Sequence, residues 1–388
     1  FGGCSDMEIL KWLQSGIVER FPIEMHFTWE PMLGFGCEVD EEKGTVDFHG
    51  KKYIQGLVDK FLPGESKPKC EAAARESIMD LPAEPLPPVG SAEDQALAPT
   101  QHEARALGGG LAHLMRVRID VAWQHAWIAQ GTHRPTPRHL EHYKHLLRYC
   151  WATIDYVMRH HTRQGLALQD RAEPVRPFDT TLPSPCTATL ARHSQQANVE
   201  YGLYGCGDAA QAIPGVNVAN SKSMGGFAIM LGAAAIDWKS WRFHTVVVDS
   251  TSGEMLTASR MTTKLYYYRR LSTFFGLPQL KPTPLLTDND GVWTIARDAV
   301  GTTSLIYIIR HCRFVQQAQE QGEILVGQLD GRINPTDGLT KYLPKTTTVR
   351  DNMFLMGFPQ EAYRYWVTSK VFKQFKPRTI APPPNSTD

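Results

Sequence analysis

Four short segments between Tyr204 and Lys341 each set one acid at the edge of an apolar run, and this pattern constrains the fold more than any other feature of the chain. They read YGCGDAAQA with Asp208, DSTSGEM with Glu254, LLTDNDGVW with Asp288 and INPTDGLTK with Asp337. The runs Gly226 to Leu231 and Thr245 to Val248 are of β type. Ala258, Met261, Leu265, Tyr268 and Phe275 form a helical stripe, in a helix that Glu254 opens. Asp288 closes the strand-like Pro284-Leu285-Leu286, and Asn334-Pro335 signals a helix start just before Asp337. The order is strands, helix, strand, helix, and in such an order strand ends and helix starts can meet at one point.

Acids that meet cannot all stay ionised at neutral pH without cations, because like charges a few ångströms apart raise one another's pKa. Hard divalent ions with oxygen ligands are the natural partners, Mg²⁺ above all, with Mn²⁺ as an alternative. Two such ions about 4 Å apart would hold the attacking water and the leaving oxygen of a phosphodiester. Each acid taken singly has a plainer reading too. Asp288-Asn289 fits a turn, and Glu254 suits the positive end of a helix.

The same segments resemble the ribonuclease H domain of copia-type LTR retrotransposon polyproteins. That family reads SDADWAGD, RKSTSGY, ISWKSKKQ, SSTEAEY, CDNQSA and NPADILTK. Here the counterparts are GDAAQA, SKSMGGF, IDWKSWRF, DSTSGEM, TDNDGV and NPTDGLTK, and the stretch from Lys222 to Glu254 aligns without a gap. The resemblance implies an α/β (α+β) fold with an RNase H-like mixed sheet flanked by helices. It also implies that Asp208, Glu254, Asp288 and Asp337 are both the catalytic and the metal-binding acids. The substrate it implies is an RNA–DNA hybrid or another nucleic acid, with contacts expected at Lys222, Ser250 and Asn289. Ala210 and Ser252 stand where the family has acids, and Tyr307 and Ile309 replace a His and an Asp. These departures favour an alternative reading, a nucleic-acid-binding remnant without hydrolysis. An integrase-type nuclease fits less well, because that group uses three acids.

The first part of the chain resembles the end of a reverse transcriptase. MLGFGCEV and HGKKYIQGLV stand for the family's FLGIEV and QKKYIEKLL, around a hairpin turning at Glu42-Lys43-Gly44. The helix starting at Lys51-Lys52-Tyr53 has Ile54, Leu57, Val58 and Phe61 as its apolar face, and Asp6 to Phe21 reads as an earlier helix. RALGGGLAHLMRVRIDVAWQH and PTPRHLEHYKHLLRYCWAT follow the family's thumb and connection segment. In that light Arg116, Arg118, Trp123, Trp127, Lys144 and Arg148 are expected to touch a nucleic-acid backbone; Trp123 and Trp127, four apart, also fit a core. Thr136-Pro137 is a helix start, and His139, His142 and His145 step by three, which suits a solvated face better than a metal helix. The polymerase motif Tyr-x-Asp-Asp is not in the sequence, so no polymerase activity is expected of this chain.

These readings divide the chain into a palm/thumb remnant over 1–63, a Pro-rich linker over 64–101 and a helical thumb/connection segment over 102–169. A second linker over 170–197, an RNase H-like domain over 198–345 and a basic, Pro-rich tail over 346–388 follow. A net charge of +1 requires any nucleic-acid binding to come from local patches. Seven scattered cysteines without a CxxC pair indicate reduced thiols in an intracellular protein, in the cytoplasm (as in a virus-like particle) or the nucleus. No apolar run nears the roughly 20 residues of a membrane span. A start at Phe1 is expected of a fragment or processed product, with further Pol segments upstream.

Overall fold

The computed structural model describes residues 34–70, 72–83, 85–161, 202–211, 223–275, 277–297, 302–329, 331 and 334–358. The helix expected over Asp6 to Phe21, the linker over 170–197, Lys222 and the tail beyond residue 358 lie outside them.

Strands β1 (Gly36–Asp40) and β2 (Thr45–His49) form the expected hairpin, with Gly44 at φ 61° in its turn. β3 (Met158–His161) adds to β2 and completes a three-stranded antiparallel sheet. Helix α1 (Lys51–Phe61) buries Ile54, Leu57, Val58 and Phe61, the face its periodicity predicts. After the short α2 (Ala92–Ala96), helices α3 (Ala98–Leu114), α4 (Ala122–Ile128) and α5 (Pro137–Ala152) close a core with α1 around Leu107, Leu111, Trp123, Tyr143 and Leu147. Trp123 and Trp127 stack within it, 5.6 Å between ring centroids. The Pro-rich stretch is not all exposed: Ile78 is 1% exposed in this core, and the Trp127 indole N–H donates to its carbonyl at 2.8 Å.

Two expectations for this half are corrected. His139, His142 and His145 are buried rather than solvated. His139 Nδ1 accepts from the Thr136 amide at 3.2 Å, closing a capping box at the start of α5, and His145 Nε2 lies 3.0 Å from the Ala72 carbonyl, to which it donates. Arg118 cannot touch a phosphate, because it is fully buried and holds Asp120 in a bidentate pair at 2.8 and 2.7 Å.

The second half is a mixed five-stranded sheet with helices against it, an architecture compatible with an RNase H-like fold. β4 (Leu203–Ala210), β5 (Met224–Leu231) and β6 (Ala234–Arg242) form an antiparallel meander. The chain then forms α6 (Ser250–Phe274) and returns as β7 (Thr283–Thr287), parallel to β4. Helices α7 (Asp290–Arg297) and α8 (Ile309–Glu320) precede β8 (Ile324–Gln328), which lies parallel to β7. The order across the sheet is β6-β5-β4-β7-β8, and α9 (Lys345–Leu355) follows it in sequence.

Successive side chains of β4 alternate between the two faces. One face packs on α6, α7 and α8 through Phe227, Ile229, Met261, Leu265 and Val315. The other packs on the first half and on α9 through Tyr204, Cys206, Ile119, Ala122, Met158 and Phe354. The run Thr245 to Val248 is not a strand: it pairs with no strand of the sheet and leaves Val246 and Val248 largely exposed. Glu254 lies a full turn inside α6, whose start is capped by Asp249 accepting from the Ser252 amide at 2.7 Å. Phe275, beyond the last helical residue, is 51% exposed and leaves the stripe.

Candidate functional site

Asp208 is the next-to-last residue but one of β4 and is buried, while Asp288 immediately follows β7, its parallel neighbour. Both acids therefore stand towards the carboxyl ends of adjacent central strands. A 3₁₀ turn over Asp337–Leu339 brings the third acid in from the sequence after β8. Carboxylate oxygens of Asp208, Asp288 and Asp337 lie within 4.8 Å of one another.

Close packing places two of these parts. A Cβ at Gly205 would come within 2.8 Å of Met261 Sδ, so a bare backbone in β4 lets α6 lie close and carries Glu254 towards the strand ends. A Cβ at Gly226 would meet Leu339 Cβ at 2.7 Å and Leu339 O at 3.0 Å, so glycine in β5 makes room for the turn that presents Asp337.

Glu254 stands beside the three aspartates rather than among them. Its Oε2 accepts from Thr287 Oγ1 at 2.9 Å and its Oε1 from Asn289 Nδ2 at 3.1 Å. Asn289 is itself fixed, its Oδ1 accepting from the amides of Gly291 at 2.8 Å and Val292 at 3.2 Å at the start of α7. Asp288 Oδ1 accepts from Asn334 Nδ2 at 3.3 Å, and the same amide group donates to the Gly207 carbonyl at 3.2 Å. Asn334 Oδ1 accepts in turn from the Thr336 amide and hydroxyl, at 3.1 and 2.7 Å. Asp208 Oδ2 accepts a very short hydrogen bond from Thr340 Oγ1. Lys341 Nζ lies 3.0 Å from Asp337 Oδ1 and 3.4 Å from Asp208 Oδ2.

The electrostatics are those of crowded acids. Burial, then the charges of Asp288 and Asp208, push Glu254 up to about 8. Burial, then Asp208, push Asp337 up to about 8, and the same two causes raise Asp288. Burial disfavours the Lys341 ammonium, but Asp208 and Asp337 outweigh it and hold the proton on more firmly. The three aspartates offer an all-oxygen donor set of the kind that hard divalent cations take.

The expected nucleic-acid contacts separate. Asn289 belongs to the site, and Ser250 is an exposed first residue of α6. Lys144 and Arg148 lie on α5, where Lys144 pairs with Glu103 at 2.8 Å and Arg148 makes a bidentate pair with Glu65 at 2.8 and 2.7 Å. Thr287, Asn334, Thr340 and Lys341 went unread in the sequence. All four lie within LLTDNDGVW and INPTDGLTK, the motifs of Asp288 and Asp337, which was the available signal.

Over 343 residues, 88% of its length, the chain is 21% identical to the "Retrovirus-related Pol polyprotein from transposon RE1" of Arabidopsis thaliana. It is 20% identical over 348 residues to the "Retrovirus-related Pol polyprotein from transposon RE2" of the same plant. The chain spans about a fifth of the length of these curated relatives. No family model and no solved structure matches it. Along most of its length, then, this chain is similar to retrovirus-related Pol polyproteins of transposons.

Proposed function

We propose that this chain is a fragment of a copia-type Pol polyprotein that hydrolyses the RNA strand of RNA–DNA hybrids, with no polymerase activity of its own. The observation that supports this most is the meeting of three carboxylates from three separate elements within 4.8 Å, with Glu254 hydrogen-bonded beside them. Asp208, Asp288, Asp337 and Glu254 would hold Mg²⁺ or Mn²⁺, and a pair of such ions supplies an activated water and a stabilised leaving oxygen. The protein's own part is positioning. Thr340 fixes the rotamer of Asp208, Asn334 that of Asp288, and Thr287 with Asn289 that of Glu254, so the oxygens are aimed before any substrate arrives. Discrimination of RNA from DNA is expected from contacts to the 2′-hydroxyl across the minor groove.

The test is a labelled RNA–DNA hybrid incubated with the purified chain in Mg²⁺, in Mn²⁺ and in chelator, beside double-stranded DNA and a primed template. Cleavage of the RNA strand alone, with metal alone and without primer extension, is the expected result. A second reading, hybrid binding without hydrolysis, is favoured by Ser252, which stands where the copia-type family carries an acid and here donates its hydroxyl to the cap residue Asp249 at 2.8 Å. Hybrid binding that weakens with salt, with no cutting in either metal, would select it.

A further inference from the structure

Lys341 follows the 3₁₀ turn that carries Asp337, four residues after that acid. One ammonium group thus spans Asp337 Oδ1 at 3.0 Å and Asp208 Oδ2 at 3.4 Å, two of the three carboxylates in the cluster. Asp288 adds its charge to the same field. The lysine side chain is 39% exposed, against 5% for Asp208 and 14% for Asp337, so the head reaches in from solvent on a flexible stem while the acids stay enclosed.

We infer that Lys341 is a built-in counter-ion of the carboxylate cluster: it neutralises the acids when no divalent ion is held, and it competes with such an ion for the oxygens of Asp208 and Asp337. The inference rests on the cation-binding role proposed above. Buried carboxylates this close are unstable together unless positive charge lies among them, and Lys341 supplies one such charge from the protein itself. A dication bound to the same oxygens at about 2.1 Å leaves no room for the ammonium on those lone pairs and repels it. Lys341 must therefore move outward, and its partial exposure lets it do so without unfolding the turn. The consequence is a fold that does not depend on metal and a metal affinity set lower than four acids alone would give.

The experiment compares the wild-type chain with Lys341→Met and Lys341→Arg at mildly alkaline pH, reading Mn²⁺ affinity by electron paramagnetic resonance and melting temperature in chelator and in Mg²⁺. The expected result is a Met variant that melts lower than wild type in chelator, recovers in Mg²⁺ and binds Mn²⁺ on the order of tenfold tighter. The Arg variant should track wild type. If the Met chain does not fold, Lys341→Gln takes its place, with the same expectations. Mn²⁺ affinity that is unchanged or weaker in the uncharged variants, or absent from all of them, overturns the inference. Hybrid cleavage by wild type with no such affinity change removes the counter-ion role and leaves the nuclease reading intact. The affinity change without cleavage does the reverse.

Discussion

Asp208 Oδ2 takes its hydrogen bond from Thr340 Oγ1, a buried hydroxyl shared with the Asp337 carbonyl at 3.1 Å, beside the Lys341 ammonium at 3.4 Å. Thr340→Val keeps the shape and removes the donor. Losing a hydrogen bond to a charged acceptor costs about 1–3 kcal/mol, so the variant is expected to melt several degrees lower. Its Asp208 carboxylate should also be less well aimed, and hybrid cleavage should fall with it, as a rate assay on the folded variant would show. Asp208 and its three fellow acids were legible in the sequence because each sits in a short motif with a strand or turn signal beside it. Lys341 and Thr340 were printed in the same NPTDGLTK segment, but a spacing of four from Asp337 does not say that the lysine turns inward. Nor does sequence show that Glu254 is held by Thr287 and Asn289 beside the aspartates rather than among them. That depends on how far α6 slides along β4, and the glycines of β4 set it.

At the scale of elements, the hairpin β1–β2, helix α1 and most of strand β5 could be read directly, from alternation about a turn, a stripe of period 3.6 and a continuous apolar run respectively. The run Thr245 to Val248 has the composition of a strand without a partner, and composition carries no information about partners. The histidines of α5 were misread for the same reason: a three-residue step places them largely off the apolar stripe, yet neighbouring segments at Ala72 and Thr136 cover them. Burial first, then neighbouring positive charge, lowers His139 and His142 to about 4. A folded-state value below the unfolded value near 6.5 means that the unfolded chain takes up protons first as pH falls. The contribution of these two histidines is therefore full above about pH 6.5 and is lost between there and about pH 4. Replacing both histidines with Gln should reduce the loss of melting temperature between pH 7.5 and 5.0 relative to wild type, and an equal loss in both chains would refute it. Gly226→Ala tests the turn that presents Asp337. The new methyl meets Leu339 Cβ and O, so about 1–3 kcal/mol of stability is expected to be lost, together with Mn²⁺ affinity. A variant with normal metal affinity would show that the turn adapts.

Across the whole molecule, the sheet joins two halves that the sequence presents as separate. Ile119, Ala122 and Met158 from the first half share a core with Tyr204, Cys206 and Ala228 from the sheet. Beside this seam Arg118 is held by Asp120 and by Thr153, whose Oγ1 accepts at 2.6 Å, and Tyr149 donates to Asp120 Oδ2 at 3.0 Å. Asp120→Ala would leave a buried guanidinium without its counter-charge, at a cost of about 3–5 kcal/mol. A single cooperative melt that shifts as one transition is the expected outcome, whereas two transitions would show that the halves fold independently. Such a seam also sets the helical half on the opposite face of the sheet from α6, α7 and α8, with the acids near the strand ends. Among the described residues no helix is long and apolar enough to cross a membrane. The most direct measurement is the rate at which wild type and Asp208→Asn cut the RNA strand of a labelled RNA–DNA hybrid in Mg²⁺, with hybrid affinity measured on both. A nuclease centre built on the four acids gives equal binding and a rate at least roughly a hundredfold lower in the variant. Equal rates, or no cutting by a folded wild-type chain that binds the hybrid, would contradict it.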